Sequence, residues 1–164
     1  ESVGPNQEGE VQVRGPQVML GYLNNPQATA ETIIDNGWLR TGDLGFVDDD
    51  GYLYIRDRLK ELIKFKGFQV APAEVENALL SHPGISDAAV IGIPDTEAGE
   101  LPCAYVVKKS QHEVSAEDLN AHVSRRLASY KRPAKISFVE AIPKSASGKI
   151  LRRILKAQAL SEAN

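Results

Sequence analysis

The sequence is poor in the residues that build covalently stapled or strongly aromatic proteins. Its 164 residues include one cysteine, one methionine and one tryptophan, and aromatic residues make up 6% of the chain. Because a single thiol has no internal partner, a framework of disulfide bonds is excluded. Cys103 stands in the apolar run 103–107, where we expect it to pack in a core as a small hydrophobic residue. This use of cysteine is typical of the reducing cytoplasm.

Long apolar runs and an excess of one charge are also missing. No stretch approaches the ~20 apolar residues of a membrane helix, and no signal peptide is recognisable, so no membrane span is predicted. The formal net charge of -3 supplies no basic excess, which excludes a general nucleic-acid binder. The histidines His82, His112 and His122 are scattered without metal-ligand or base spacing. We interpret them as surface or capping residues and predict no metal site.

A lysine on a serine- and glycine-rich turn is the most informative feature that is present. The segment PKSASGK at residues 143–149 ends on Lys149, just before a basic helix predicted from Ile150. Such a turn lets the backbone approach a ligand and projects a cationic side chain. An ammonium there suits a phosphate, or a carboxylate about to attack one. The alternative is a solvated loop lysine. A Walker phosphate loop is excluded because Ile150 stands where Ser or Thr is required.

The earlier motif Thr41-Gly42-Asp43 favours the same kind of ligand. It places a carboxylate on a predicted glycine turn at the end of an apolar segment. An acceptor pair of this kind suits the two hydroxyls of a ribose. Taken alone, Asp43 is more often a turn-capping residue.

A short basic stretch between residues 57 and 70 is the third motif. Its cations recur at even spacings, so strand periodicity predicts that they share one basic face suited to phosphates. The four cations are Arg58, Lys60, Lys64 and Lys66. The structural alternatives are a surface ion pair for Arg58 and protection of an edge strand for Lys64 and Lys66.

Periodicity and turn residues predict a β-rich first part followed by a mixed part, which gives the α+β class. The second part is expected to be a small domain with a three-stranded sheet, helices on one side and a short hairpin across Gly67. Asn25, Ser115 with Asp118, and Pro72 are predicted helix starts. The predicted strands are 10–14, 88–93, 103–108 and 136–139; the predicted helices begin at 25, 72, 115 and 150, the first reaching about Ile34; an Asp-Gly turn at 48–51 closes a hairpin.

The order of three motifs resembles the C-terminal part of the acyl-adenylate-forming enzymes. The motifs are TGD, then DRLKELIKFKGFQVAPAEVE, then PKSASGK. That superfamily includes acyl-CoA synthetases, 4-coumarate–CoA ligase, firefly luciferase and peptide-synthetase adenylation domains. The segment LIKFKGFQVAPAEVE is most similar to the 4-coumarate–CoA ligase and luciferase branch. The resemblance, from about Gly9 to the last helix, implies three parts. These are a remnant of the large N-terminal AMP-binding domain (1–57), a hinge (58–60) and a mobile C-terminal domain (61–164).

The family reaction implied by the resemblance is the ATP-dependent joining of a carboxylic acid to coenzyme A by domain alternation. Acyl-AMP forms first, and the thiol then displaces AMP. Lys149 is implied as the catalytic cation of the first half-reaction and Lys64 as that of the second. Asp43 and Arg58 are implied to bind the ribose, and Lys60 is implied as the hinge residue. Many relatives carry Asp at the position of Lys60, and in the branch named above the lysine there is implied to contact the acyl-adenylate as well.

The resemblance also implies a coenzyme A channel beside Lys66 and Gly67, and a weaker acyl-adenylate contact at Gln69. Mg²⁺ is expected in the full-length enzyme, with no ligand in this chain. Neither the family's phosphate loop nor its acyl pocket has a counterpart here, so we expect a fragment of a ligase that is inactive without its N-terminal domain. The expected location is the cytoplasm. The acid, in fatty acid or phenylpropanoid metabolism, stays open. The alternatives are a luciferase, a peptide-synthetase adenylation domain and a non-catalytic binding or regulatory module.

Overall fold

The computed structural model describes residues 2–162, so the outer ends of the predicted domains, 1–57 and 61–164, lie outside the described residues. The chain divides into two compact units, the first ending at Lys60 and the second beginning at Glu61. Each unit contains a sheet of its own. The hinge assigned to residues 58–60 stays a prediction.

The first unit is an antiparallel four-stranded sheet with one helix. Its elements are β1 (Gly9–Val13), α1 (Pro26–Thr32), β2 (Ile33–Ile34), β3 (Trp38–Val47) and β4 (Leu53–Arg58). The third strand pairs with the other three. Asn25 caps α1 as predicted, because its side chain accepts a hydrogen bond from the Ala28 N–H at 3.0 Å. The helix ends at Thr32 rather than at Ile34, since the two β-branched isoleucines pair with β3.

The second unit is a five-stranded sheet with three helices. Its elements are β5 (Ile63–Phe65), β6 (Phe68–Val70), α2 (Pro72–Leu80), β7 (Ile85–Asp95), β8 (Gly99–Lys108), α3 (Ala116–Ser124), β9 (Lys135–Phe138) and α4 (Arg152–Glu162). The strand order is β6-β5-β8-β7, and β9 runs parallel to β8. The α+β class is therefore confirmed. The predicted hairpin is continuous with the three longer strands, because Phe65 pairs with Gly99 at the start of β8.

Two cores lie on opposite faces of this sheet. Helix α2 contributes the fully buried Val75 and Leu79 to the first core, together with residues of α3. Helix α4 contributes Leu155 and Ala159 to the second core. The helices therefore cover both faces rather than the single face that was expected. Along β7 and β8 the side chains alternate between the faces: Ala88, Val90, Ala104 and Val106 belong to the first core, and Ala89, Ile91, Cys103 and Tyr105 to the second.

The single cysteine is buried in the second core, as its apolar sequence context predicts. Desolvation by burial raises the pKa of the Cys103 thiol, and the nearby Lys135 opposes this effect. Because the thiolate is the reactive form, the raised pKa makes this a structural rather than a nucleophilic side chain.

Local capping chemistry fixes the start of α3. The Ser115 hydroxyl accepts from the Asp118 N–H, and the Asp118 carboxylate accepts from the Ser115 N–H, both at 3.1 Å. This confirms the predicted capping box. Hydrogen bonds from the Ser115 side chain and backbone lower the pKa of Asp118.

Among the described residues, no helix has both the length and the apolar character needed to cross a bilayer.

Candidate functional site

The Thr41-Gly42-Asp43 motif forms a bulge inside β3, so the expected turn at the end of a strand is wrong. The three residues lie opposite Val11 alone, where the register of β1 against β3 shifts. Gly42 takes a φ of 73°, which an L side chain rarely adopts. The Thr41 hydroxyl donates to the Val11 carbonyl at 2.7 Å and accepts from the Asp43 N–H at 3.0 Å. These bonds fix the backbone of Asp43.

The structure brings together the two residues predicted to bind a ribose. Asp43 in β3 lies directly across from Arg58 in β4, and the Arg58 Nε is 2.8 Å from the Asp43 Oδ1. Their side chains are 26% and 53% exposed, respectively. A pair this accessible stabilises the fold by at most about 1 kcal/mol. It therefore leaves both groups able to exchange partners with a ligand.

The predicted single basic face is wrong. Arg58 ends β4, and Leu59–Glu61 then form a 3-10 helix that carries Lys60 out of strand geometry. Lys64 alone of the four cations lies in β5. Lys66 follows on a turn with a φ of 49°. Alternation requires an unbroken strand, and here a 3-10 helix separates the end of β4 from the three-residue strand β5.

Lys64 is exposed, whereas the preceding Ile63 is buried at 1% exposure. Since successive strand side chains point to opposite faces, Lys64 projects away from the core that holds Ile63. Its N–H donates to the Glu100 Oε2 at 2.8 Å. Its cross-strand partner in β6 is Gln69, which is also exposed. The structure thus places side by side two residues that were predicted to contact an acyl-adenylate.

Lys66 and Gly67 form the two-residue turn between β5 and β6. Their φ angles of 49° and 82° are both positive, as a type I′ hairpin requires. The Lys66 Nζ lies 5.6 Å from the centre of the Phe65 ring. Among the described residues, no heavy atom other than those of Gly67 and its two chain neighbours lies within 4 Å of the position that a Gly67 Cβ would take. The surface above this turn is therefore open to a thin ligand.

Lys149 lies on the tight turn predicted for it. The Ser145 N–H donates to the Lys149 carbonyl at 2.9 Å, and the Ser145 hydroxyl accepts from the Lys149 N–H at 3.2 Å. Gly148, with a φ of 80°, closes the turn by donating to the Ser145 carbonyl at 2.9 Å. The lysine side chain is exposed. Helix α4 begins at Arg152 rather than Ile150, because Ile150 forms a β-bridge with Lys144.

Comparison with known proteins gives the same assignment as the motifs. Residues 74–149 match the sequence model of the AMP-binding enzyme C-terminal domain. The chain is also 53% identical, over 98% of its length, to 4-coumarate-CoA ligase 1 of Narcissus pseudonarcissus, of which it spans 29%. Residues 74–149 therefore belong to the AMP-binding enzyme C-terminal domain family.

Two solved structures of longer proteins have a similar backbone over most of this chain. One is o-succinylbenzoate CoA synthetase from Bacillus subtilis in complex with the acyl-adenylate intermediate OSB-AMP. It is 45% identical over 94% of this chain, with a TM-score of 0.86, and this chain covers 31% of its length. Another is ATP-bound MatB from Rhodopseudomonas palustris, 33% identical over 95% of this chain with a TM-score of 0.90, and again 31% is covered. The expected resemblance to the 4-coumarate–CoA ligase and acyl-CoA synthetase branch is confirmed.

Sequence reasoning missed the ion pairs around the lysines of the second unit. Lys144 pairs with Asp87 at 2.6 Å. Arg152 lies 2.7 Å from Glu61 and 3.0 Å from Glu76. These partners are far apart in the chain, so no local spacing could have indicated them.

Two of the histidines interpreted as scattered meet between α2 and α3. The rings of His82 and His122 are 5.0 Å apart and nearly perpendicular, and the His122 Nε2 is 2.8 Å from the Ser81 hydroxyl oxygen. Within residues 2–162, no group of three or more His, Cys, Asp or Glu side chains could hold a metal ion. The pair is therefore a contact between the segment that follows α2 and helix α3.

This histidine contact predicts a loss of stability in mild acid. Desolvation is the main cause that lowers the pKa of His122, and electrostatic interactions with Arg126 and then His82 lower it further. Because this pKa lies below the unfolded value of about 6.5, the unfolded chain binds more protons once the pH falls below that value. The urea midpoint of unfolding should be constant above this pH and fall below it. His122→Gln should show a smaller acid loss, and equal slopes for the two proteins would contradict this explanation.

Proposed function

We propose that this chain is the C-terminal part of an ATP-dependent acid–CoA ligase. Residues up to 57 would complete the large AMP-binding domain, residues 58–60 would be the hinge, and the unit from Glu61 would be the mobile domain. One observation carries the proposal: a CoA synthetase that holds an acyl-adenylate is 45% identical over 94% of this chain with a TM-score of 0.86. Since the chain spans only 31% of that protein, the activity belongs to a longer enzyme.

In the first half-reaction, a carboxylate oxygen of the acid bonds to the α-phosphorus of ATP. The bond from that phosphorus to the bridging oxygen breaks, and pyrophosphate leaves with its electron pair. Negative charge gathers where two anions meet, and the exposed ammonium of Lys149 is suited to stabilise it. The hydrogen bonds between Ser145 and the backbone of Lys149 support this role, because they hold the backbone from which the lysine side chain extends.

In the second half-reaction, the thiol sulfur of coenzyme A attacks the acyl carbon. The carbon–oxygen bond to AMP breaks, and the thiol proton is released. Lys64 and its cross-strand neighbour Gln69 form one exposed pair that would contact the acyl-adenylate. The open surface above Gly67 would admit the pantetheine arm, and Lys66 beside it would contact coenzyme A.

The ribose of the nucleotide is assigned to the first unit. Asp43 would accept hydrogen bonds from the two ribose hydroxyls, and Arg58 would hold the carboxylate in place through its 2.8 Å contact. Lys60, exposed in the short 3-10 helix after β4, would be the hinge residue and a contact of the acyl-adenylate. Few packing restraints act on such a residue, which suits a change of backbone angles.

The substrates implied are a small carboxylic acid, ATP and coenzyme A, and the partner is the N-terminal domain. Mg²⁺ would neutralise charge on the ATP phosphates. The described residues offer it no group of three or more His, Cys, Asp or Glu side chains, so we assign its ligands to the N-terminal domain. A cytoplasmic location suits the free thiol of Cys103.

Acid-dependent exchange of pyrophosphate into ATP, followed by thioester formation with coenzyme A, tests this function in the complete enzyme. Asp43→Asn should raise the KM for ATP by roughly 10-fold or more, since a hydrogen bond to a charged group contributes about 1.5–3 kcal/mol. Asp50→Asn is the matched control, because Asp50 lies in the turn of the same hairpin. If no aryl or aliphatic acid supports exchange, the proposed function is wrong.

A further inference from the structure

A largely buried arginine joins two carboxylates from different parts of the second unit. The Arg152 Nε lies 2.7 Å from the Glu61 Oε2, as an ion pair rather than an aligned hydrogen bond. Its Nη2 lies 3.0 Å from the Glu76 Oε1. The arginine side chain is 16% exposed, and those of Glu61 and Glu76 are 32% and 9% exposed. Glu76 also accepts the N–H of Val90 at 2.8 Å, which fixes its carboxylate against β7.

The position of these groups in the sequence gives the contact its meaning. Arg152 begins α4 and follows Lys149 after two residues, whereas Glu61 precedes Lys64 by the same interval. A single ion pair therefore joins the segments that carry the two lysines. Glu100 makes a second, weaker link, because its carboxylate accepts the Lys64 N–H at 2.8 Å and lies 3.9 Å from the Lys156 Nζ of α4.

The two lysine segments do not depend equally on Arg152. Lys64 is also held by the pairing of β5 with β6 and β8, which remains if the arginine is removed. The Lys149 loop has one other ion pair at its base, between Lys144 and Asp87 at 2.6 Å. Loss of Arg152 should therefore release the Lys149 loop more than the strand of Lys64. Lysine could not replace this arginine, since it lacks the planar fork that reaches two carboxylates.

We propose that Arg152 is a positioning residue that sets the Lys149 loop relative to β5 through Glu61, and so acts selectively on adenylation. The expected loss of adenylation rests on the proposed function. The expected release of the Lys149 loop does not depend on it. Misplacing a catalytic group by about 1 Å can lower a rate 10²-fold. A loop freed at one end is open to a displacement of that size.

The structural part is tested on this chain by amide hydrogen exchange. In Arg152→Gln and Glu61→Ala, the N–H groups of Lys149 and Leu151 should exchange at least about 10-fold faster, as expected when a local hydrogen-bonded turn opens. The amides of β5 and β6 should change less than about 2-fold. Arg153→Gln, which alters the exposed neighbouring arginine, is the control and should leave both regions unchanged. Equal exchange of the loop in the variants and the unaltered chain would overturn the inference.

The kinetic part is tested in the complete enzyme. Glu61→Ala is chosen because its partly exposed side chain makes unfolding a smaller risk than at Arg152. Pyrophosphate exchange should fall roughly 10-fold or more, with thioester formation from supplied acyl-AMP within about 2-fold and the thermal midpoint preserved. An equal loss in both half-reactions would overturn the selective role. Failure of the unaltered enzyme to exchange pyrophosphate with any acid would instead refute the proposed function, and the exchange rates of the loop amides would still decide the structural part.

Discussion

Replacing Lys149 by alanine in the complete enzyme should lower acid-dependent pyrophosphate exchange by about 10²–10³-fold, the loss typical of removing one oxyanion donor. The side chain is exposed on a turn whose backbone is held by Ser145 and Gly148. Removing the ammonium should leave this backbone intact, because the hydrogen bonds within the turn are made by main-chain groups and by the hydroxyls of Ser145 and Ser147. The loss should therefore be in kcat rather than in folding.

A second measurement separates this role from a general effect of charge. Lys149→Ala should still convert supplied acyl-AMP and coenzyme A into thioester at nearly the unaltered rate. Lys109→Ala is the control, since Lys109 is an exposed lysine in a loop of the same unit. Full pyrophosphate exchange in Lys149→Ala would show that the ammonium has no part in adenylation.

Features that depend on neighbours in the sequence could be predicted correctly. The turn before Lys149 follows from Ser and Gly at fixed offsets, and the start of α1 follows from an Asn-Pro pair. The capping box of α3 was equally local. In each case the residues that make the hydrogen bonds lie within about one turn of one another.

Features that depend on partners far along the chain could not be predicted. The bulge at Gly42 exists because the register of β1 against β3 shifts there, and nothing in TGD itself reports that register. The basic face failed for a related reason, since even spacing indicates one face only if the strand is unbroken. The 3-10 helix at Leu59–Glu61 breaks it. The contacts of Arg152 with Glu61 and Glu76 join residues on three separate elements.

The candidate site shows the same division. The residue types of the ribose pair were predicted, and the structure adds that Asp43 and Arg58 are cross-strand neighbours. The pairing of Lys64 with Gln69 was not foreseen, although both residues had been singled out. It follows from the type I′ turn at Lys66 and Gly67, because a two-residue turn fixes the register of its hairpin.

Lys64→Ala is expected to have the opposite selectivity to Lys149→Ala. Conversion of supplied acyl-AMP and coenzyme A to thioester should fall by about 10²-fold or more, as for loss of one preorganised charged group, and pyrophosphate exchange should be nearly unchanged. The change should leave β5 intact, since the contact of Lys64 with Glu100 uses its backbone N–H and its pairing with Gln69 follows from its strand position. Lys109→Ala again serves as the control.

Opposite selectivities would mean that the two lysines serve different half-reactions, so that each ammonium group stabilises the transition state of a different step. They lie on segments with different supports, Lys64 in a paired strand and Lys149 on a loop held by ion pairs. A movement of the whole second unit would exchange one lysine for the other without remodelling either support. If both substitutions reduced the same half-reaction, that succession would be wrong, and the two ammonium groups would have to act together on a single step.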